Sequence, residues 1–398
     1  MNKRSVRSLD MSGMAGQRAL VRVDYNVPLD EAGCVADAAR IEATLPTLRL
    51  LLAAGVRPVL LSHLGRPGGH IVPEESLRPV AVALEELLGA PVHFLASTDT
   101  ELALETSLAL REGEVLLLEN TRFLPGETAN EEALGTRLAR LGDFYINDAF
   151  GTTHREHASV VGTPAHMEPA VAGLLVEAEL KALARVREAP DRPFVVAFGG
   201  AKILDKISLI ESFLVRAETI LIGGAMANTF FAAMGRPTGE SLVEHDAVET
   251  AASFLARAPE RLVLPDDVVV GRPGEDADGS RVVAADAIPA NLAAYDIGPK
   301  ARDRFSAAIS GAGTFFWNGP MGWFEVAGYA EGTRAVSRAA VAAAEAGAFT
   351  VVGGGDSARA IREAGLADRV SHVSTGGGAS LEYLAHGTLP GLEALDDA

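Results

Sequence analysis

The 398-residue chain contains a single cysteine, Cys34. It can therefore form no internal disulfide and build no cysteine-rich metal site, which fits a reducing compartment. Although 48% of its residues are hydrophobic, they fall in short runs broken by Gly, Pro and charge, and none reaches the roughly 18 residues needed to span a bilayer. The first residues carry Lys3, Arg4 and Arg7 but then Ser, Asp and Gly where a secretory signal needs an apolar stretch. The expected location is the cytoplasm. Positive charge is in deficit: 35 Lys and Arg against 53 Asp and Glu leave a net charge of −18, a field that repels nucleic acid and anionic membrane. A small anionic substrate would have to be held by a local cationic cluster. Two nucleotide signatures are also missing: the GxxxxGK[ST] loop, and GxGxxG followed by an acidic residue at dinucleotide spacing. HREH (154–157) offers His154 and His157 without a third zinc ligand at suitable spacing.

What is present is a recurring pattern. The length predicts two globular units. Apolar, often β-branched runs stop at polar or Gly-rich turns: ALVRV (19–23), VLLSH (59–63), VLLLEN (115–120), FYIND (144–148) and FVVAFGG (194–200), then TILIGG (219–224), LVLPDD (262–267), TFFWNG (314–319), FTVVGGG (349–355) and VSTGGG (373–378). Runs apolar on both faces, alternating with helical segments such as KISLIESFLVRA (206–217), are what a parallel sheet covered by helices requires. The expected fold is α/β, with two doubly wound, Rossmann-like parallel-sheet domains. VEAELKALARVREAPDRP (176–193) has helical periodicity and lies between the two sets of strands, so it is assigned as an interdomain helix and hinge.

In open parallel sheets ligands bind outside the carboxyl ends of the strands, and the two halves differ there. The first half presents Asp24 and Asn26, His63 and Arg66, Asn120 and Arg122, then Asp148, His154 and Arg155. Guanidinium forks match phosphate oxygens, so convergence of these arginines would make a site for a small phosphorylated substrate. Taken one at a time, each arginine could equally be solvated or paired with Glu119 or Glu156. The second half presents Gly199, Gly200 and Lys202, then Gly223 and Gly224, Asn318 and Gly319, Gly353 to Asp356, and Gly376 to Gly378. FGGAKILDKI (198–207) runs from a strand through two glycines into a helix, so backbone N–H groups could face an anion, with Lys202 and Lys206 on one helical face. In VVGGGDSARAI (351–361), Asp356 or Ser357 could simply cap the next helix, or Asp356 could hold magnesium beside nucleotide phosphates. WNGPMGWFE (317–325) offers rigid Gly and Pro backbone suited to a flat base or a ribose.

The ordered strings RVDYNVP, SHLGRP, LLLENTRF, INDAFGTTHREHAS, FGGAKILDKI, LVLPDDVVV, DIGPK, WNGPMGWFE, GGGDSA and HVSTGGGAS together resemble phosphoglycerate kinase, from about residue 5 to residue 391. The resemblance implies reversible phosphoryl transfer between 1,3-bisphosphoglycerate with ADP and 3-phosphoglycerate with ATP, in glycolysis and gluconeogenesis, by direct in-line transfer on domain closure. It implies an N-terminal 3-phosphoglycerate domain over 1–172 with a tail (381–398) packing back on it, a hinge over 173–192, and a magnesium-nucleotide domain over 193–380. Carried over, Asp24 and Asn26 orient the triose, Arg40 faces its carboxylate, and His63, Arg66, Arg122 and Arg155 hold its 3-phosphate. Lys202 and Arg40 neutralise the phosphoryl group in flight, with Gly355 beside it. Lys206 contacts nucleotide phosphates, Glu325 the ribose, and Asp356 the Mg2+. Gly200, Ala201, Gly224, Asn318, Gly319, Pro320, Gly353, Gly354 and Ser357 complete the nucleotide site. A monomer without nucleic-acid or membrane partners is expected. Departures from the usual wording are Ala225 for a third glycine, Asn228 for an aromatic and Gly68 for a lysine; the first two bear on base preference. Two other classes remain as alternatives: a nicotinamide oxidoreductase, and a binding protein that kept the fold and lost the chemistry.

Overall fold

The apolar runs of the first half become six strands in a computed structural model that describes residues 2–274 and 277–398. They are β1 (Arg18–Val23), β2 (Arg57–Leu61), β3 (Val92–Leu95), β4 (Val115–Leu118), β5 (Phe144–Asp148) and β6 (Ala170–Ala172). All pair in parallel, in the order β3-β4-β2-β1-β5-β6. Every residue of β1, β4, β5 and β6 is buried. A strand covered on both faces has no polar side to alternate with, and the sequence accordingly shows continuous rather than alternating hydrophobicity. Because β2 and β5 flank β1 on opposite sides, the winding reverses there and opens a crevice at the carboxyl ends of β1 and β5.

The second half repeats the plan. It contains β7 (Phe194–Phe198), β8 (Thr219–Ile222), β9 (Leu262–Val263), β10 (Asp267–Gly271), β11 (Arg281–Ala284), β12 (Ala293–Ile297), β13 (Thr314–Asn318), β14 (Phe349–Gly353) and β15 (His372–Val373). The main sheet is again six parallel strands, ordered β15-β14-β13-β7-β8-β9, with its reversal between β7 and β13. The two doubly wound sheets match the expected α/β class. A three-stranded antiparallel sheet, β11-β10-β12, is additional. Pro265, which has no N–H to give to a ladder, separates β9 from β10 within what reads as one apolar run. The short β11 is apolar in three of its four residues but mostly exposed, so it stands outside the runs expected as buried strands.

By internal contacts the chain divides into two compact units, one running up to Lys181 and taking in Thr388–Ala398, the other Ala182–Gly387. The division falls inside the helix Leu174–Glu188. The returning segment starts at Thr388, after a helix (Gly378–His386) that ends on the left-handed Gly387 and belongs to the second unit. Within the first unit Lys3 pairs with Asp397 at 2.7 Å, the Gly391 amide donates to the Thr153 carbonyl at 2.8 Å, and Leu392 and Leu395 are buried. No helix among the described residues is long and apolar enough to cross a membrane.

Candidate active site

Three loops after the strands of the first sheet are stitched to one another by the residues the sequence points to. Asp24, buried just past β1, accepts from Arg40 Nη1 at 2.7 Å and lies 3.8 Å from His63 Nδ1. Asn26 accepts from the Gly65 amide at 3.0 Å, which ties the loop after β1 to the loop after β2. Arg122 Nη1 donates to the Gly65 carbonyl at 2.6 Å. The buried Asn120 spends its side-chain amide on the carbonyls of Leu64 and Glu75 (2.6 and 2.9 Å) and so organises the cluster from within. Arg66 and Arg155 are exposed. Glu119, one acid that could have paired an arginine, instead accepts from Ser76 Oγ and from the amides of Leu77 and Asn120 at 2.8 to 2.9 Å.

Residues missed as candidates complete this crevice. Arg22, fully buried in mid-β1, donates from Nε to Ser159 Oγ at 2.9 Å and sits 3.2 Å from His63 Nδ1. A guanidinium inside a run of buried apolar residues was the signal that could have found it, because burying a charge without purpose is costly. Burial holds His63 well below the ordinary histidine range, and the charges of Arg22, Arg122 and Arg40 push it further. His157 is lowered to about 4, by burial first and then by Arg122, Arg22 and Arg155. Burial also lowers Arg122, with Arg22 adding to the effect. Cations crowded closely enough to depress one another make a cradle that an anion relieves. Glu127, fully buried beneath it, accepts from the Ser159 amide at 2.9 Å and from Thr121 Oγ1 at 3.1 Å. The two histidines of HREH join no group of metal ligands among the described residues.

The crevice of the second sheet is built from backbone. Gly199 donates to the Asn318 carbonyl at 2.9 Å, Gly200 to Pro320 at 2.8 Å, and Gly224 to Met321 at 2.9 Å. These N–H groups, expected to face an anion, are consumed in docking the loops on each other. The contact is close enough to require glycine: a Cβ on Gly199 would lie 2.1 Å from the Pro320 oxygen. Open donors are found instead at the start of the helix Gly355–Glu363, whose first amides have no partner within the helix, and a Cβ on Gly355 would meet nothing within 4 Å. Neither Asp356 nor Ser357 caps that helix; its N-cap residue is Gly354, with no side-chain bond. The buried Ser357 hydroxyl links the Gly319 amide (2.9 Å) to the Gly353 carbonyl (2.7 Å). Asn318 donates to Gly353 at 2.9 Å and keeps a buried Oδ1 with no hydrogen-bond partner.

Lys202 and Lys206 do not share a helical face. The helix begins at Ile207, after a short 3-10 turn (Leu204–Lys206), so Lys202 stands in the loop. Lys202 is exposed, 3.7 Å from Asp205. Lys206 is half-buried, donates to the Gly199 carbonyl at 2.8 Å, and is lowered to about 8 by desolvation against the pull of Asp356 and Asp205. Beside it opens a cleft of about 500 Å³ whose lining includes Gly200, Ala201, Gly224, Ala225, Pro320, Glu325 and Asp356. Glu325 is paired with Arg359. Asn228 is buried and donates to the Leu242 carbonyl at 3.3 Å.

The model of the phosphoglycerate kinase family matches residues 9–387. The chain belongs to the phosphoglycerate kinase family. It is 54% identical to the phosphoglycerate kinase of Thermus thermophilus, over 96% of this chain and 97% of the relative. It is 52% identical to that of Chloroflexus aurantiacus, over the full length of both. Solved phosphoglycerate kinase structures from Coxiella burnetii (TM-score 0.86, 36% identity) and Pyrococcus horikoshii (TM-score 0.87, 32% identity) each cover 98% of this chain and are themselves covered to 98%.

A phosphoglycerate kinase uses its nucleotide with magnesium, and the residues present suit that ion. Among the described residues no group of three His, Cys, Asp or Glu side chains forms a cage. Asp356 offers one exposed carboxylate on the first turn of the helix Gly355–Glu363. Magnesium retains water and takes one or two carboxylates plus phosphate oxygens, so a single acid beside open helix amides fits it.

Proposed function

We propose that this chain transfers a phosphoryl group reversibly between 1,3-bisphosphoglycerate with ADP and 3-phosphoglycerate with ATP, as a cytoplasmic monomer. The observation that carries the reading is full-length family membership together with two switch-point crevices of opposite character, one cationic and one lined by glycine backbone.

In this reading the cationic crevice takes the triose. Arg122, Arg66, Arg155 and His63 hold its phosphate, Asp24 and Asn26 orient its hydroxyl-bearing carbons, and Arg40 faces the carboxylate. Arg22 acts from beneath by holding His63. On the other unit, Lys206, Gly353, Gly354 and Gly355 with the amides at the helix start receive the nucleotide phosphates, Glu325 the ribose, and Gly200, Ala201, Gly224, Asn318, Gly319 and Pro320 shape the cleft. Asp356 would hold the magnesium ion, which supplies charge to draw electron density from the phosphate oxygens.

Phosphoryl transfer through a loose transition state needs positioning and charge neutralisation more than covalent help, which agrees with a site that lacks an obvious nucleophile. The exposed, weakly paired Lys202 is free to follow the moving group, with Arg40 on the acceptor side and Gly355 on the donor side. Acceptor and donor are held by different units, so transfer requires closure, which also keeps water from the acyl phosphate.

The test is a coupled assay with 3-phosphoglycerate and Mg-ATP, in which an auxiliary dehydrogenase reduces the acyl phosphate as it forms. Turnover is expected in the wild type, abolished in Arg40→Ala and reduced on the order of a hundredfold or more in Lys202→Ala. A folded protein that binds both ligands without turnover would overturn the kinase reading.

A further inference from the structure

Beneath the cationic crevice lies a buried carboxylate that the assigned roles leave unused. Glu127, just after the short turn Thr121–Phe123, is 0% exposed. Three donors converge on it: Ser159 Oγ at 2.5 Å and Thr121 Oγ1 at 3.1 Å reach Oε1, and the Ser159 amide reaches Oε2 at 2.9 Å. The Glu127 carbonyl also accepts from the Ala158 amide at 2.8 Å, so main chain and side chain together moor the segment that carries Ser159. Tyr145 of β5 holds the same segment by donating its hydroxyl to the Ser159 carbonyl at 2.9 Å.

Ser159 passes the contact on. Its hydroxyl gives its proton to Glu127 and accepts from Arg22 Nε at 2.9 Å. Arg22 in turn places Nη2 3.2 Å from His63 Nδ1. A guanidinium has donors and no acceptor, so Nδ1 must accept, and an imidazole that accepts at Nδ1 keeps its proton on Nε2. The carboxylate that could have taken a proton from Nδ1, that of Asp24, stands 3.8 Å away and is engaged by Arg40 at 2.7 Å. Burial first, then the charges of Arg22, Arg122, Arg40 and His157, keep His63 well below the ordinary histidine range. The ring is therefore neutral near neutral pH, and which nitrogen bears the proton decides what it can bind.

A buried guanidinium without a compensating charge is costly, and Glu127 is the acid that Arg22 reaches through a single hydroxyl. Resting on the reading of this crevice as the triose-phosphate site, we propose that Glu127 and Ser159 are positioning residues for that site: they hold Arg22 against His63 Nδ1 and so fix the tautomer that leaves Nε2 a donor. An ionised phosphate oxygen only accepts, so a donor nitrogen suits it, whereas the opposite tautomer would turn a lone pair on it. The relay bears on the triose alone, because both residues lie in the first unit. A hydrogen bond to a charged group is worth about tenfold or more in affinity.

The experiment compares wild type, Glu127→Gln and Ser159→Ala by heteronuclear NMR of the ligand-free protein carrying isotopically labelled histidine, with the His63 signals identified by their loss in His63→Gln, and by steady-state kinetics. Wild type is expected to show His63 protonated on Nε2. Both variants are expected to lose that single tautomer, to raise the KM for 3-phosphoglycerate about tenfold, and to keep the KM for Mg-ATP and most of kcat. Ser159→Ala, which deletes one hydroxyl, carries the test if Glu127→Gln does not fold. A proton on Nδ1 in wild type overturns the proposal, and so does an unaltered tautomer in the folded variants or an equal rise in both KM values, which would mean general damage. The tautomer is read without substrate, so these failures leave wild-type turnover standing; a wild type that shows the expected tautomer and no turnover sinks the kinase reading instead.

Discussion

Lys202 and Lys206 are four positions apart and chemically identical, yet the structure gives them different physics. Lys202 is in the open; Lys206 is packed against the Gly199 carbonyl and its ammonium is lowered to about 8 by desolvation. In the unfolded chain the same group would lose its proton near 10.4, so the native state carries an unfavourable charge below about pH 8. Stability should therefore rise with pH between about 8 and 10 from this group. Polyphosphate binding has the opposite sign, because it uses the charged form. Mg-ADP affinity is expected to weaken as pH rises from 7.5 to 9, and Lys206→Arg, whose guanidinium stays charged, to flatten that profile. Titration calorimetry across the range checks it; a flat wild-type profile would remove Lys206 from phosphate binding. Both lysines were legible as candidates from FGGAKILDKI. Their difference was not, because it depends on where the helix starts.

The loop after β7 is bonded to the loop after β13 through the Gly199 and Gly200 amides, and Ser357 is the pin between the loops after β13 and β14. Its hydroxyl joins the Gly319 amide to the Gly353 carbonyl. Ser357→Ala leaves a buried amide without its acceptor, which costs about 1–3 kcal/mol. Denaturant unfolding should show a loss of that size, accompanied by a higher KM for nucleotide and an unchanged KM for 3-phosphoglycerate. An unaltered nucleotide KM would mean that the loops hold their shape without the pin. From the string GGGDSA alone this residue reads as a helix cap or a ligand contact; the cap role disappears because Gly354, at φ 88°, enters the helix without a side-chain bond. The sheet elements were more legible. Runs such as ALVRV and FYIND are buried on both faces and could be little else, whereas exposed β11 and the Pro265 break gave no periodic signal.

Across the whole molecule, a net charge of −18 coexists with a local cluster in which Arg40 pairs with Asp24 at 2.7 Å while burial, with Arg22, Arg122 and Arg155 together, depresses His157. Charges separated by more than about 8 Å are largely screened at physiological salt, so the local cradle governs binding and the distant acids govern solubility. Because the proposed acceptor and donor sites fall in units that divide within the helix Leu174–Glu188, we expect small-angle scattering to report a more compact particle with 3-phosphoglycerate and a nonhydrolysable Mg-ATP analogue together than with either alone. An unchanged radius of gyration with both bound would count against closure.

The sequence by itself determined the fold class, the two sheets and nearly all of the strand-end residues, because buried parallel strands need continuous apolar runs and the motifs follow them directly in the chain. It also determined family membership, since the motifs occur in order over almost the whole length. Tertiary structure decided what those residues touch: that Arg22 lies beneath His63, that glycine amides are consumed in docking loops, that the helix-start donors at Gly355 stay open, and that Ser159, 137 positions from Arg22, links it to Glu127. Such pairings depend on close approach between segments distant in the chain, and no local propensity encodes that distance.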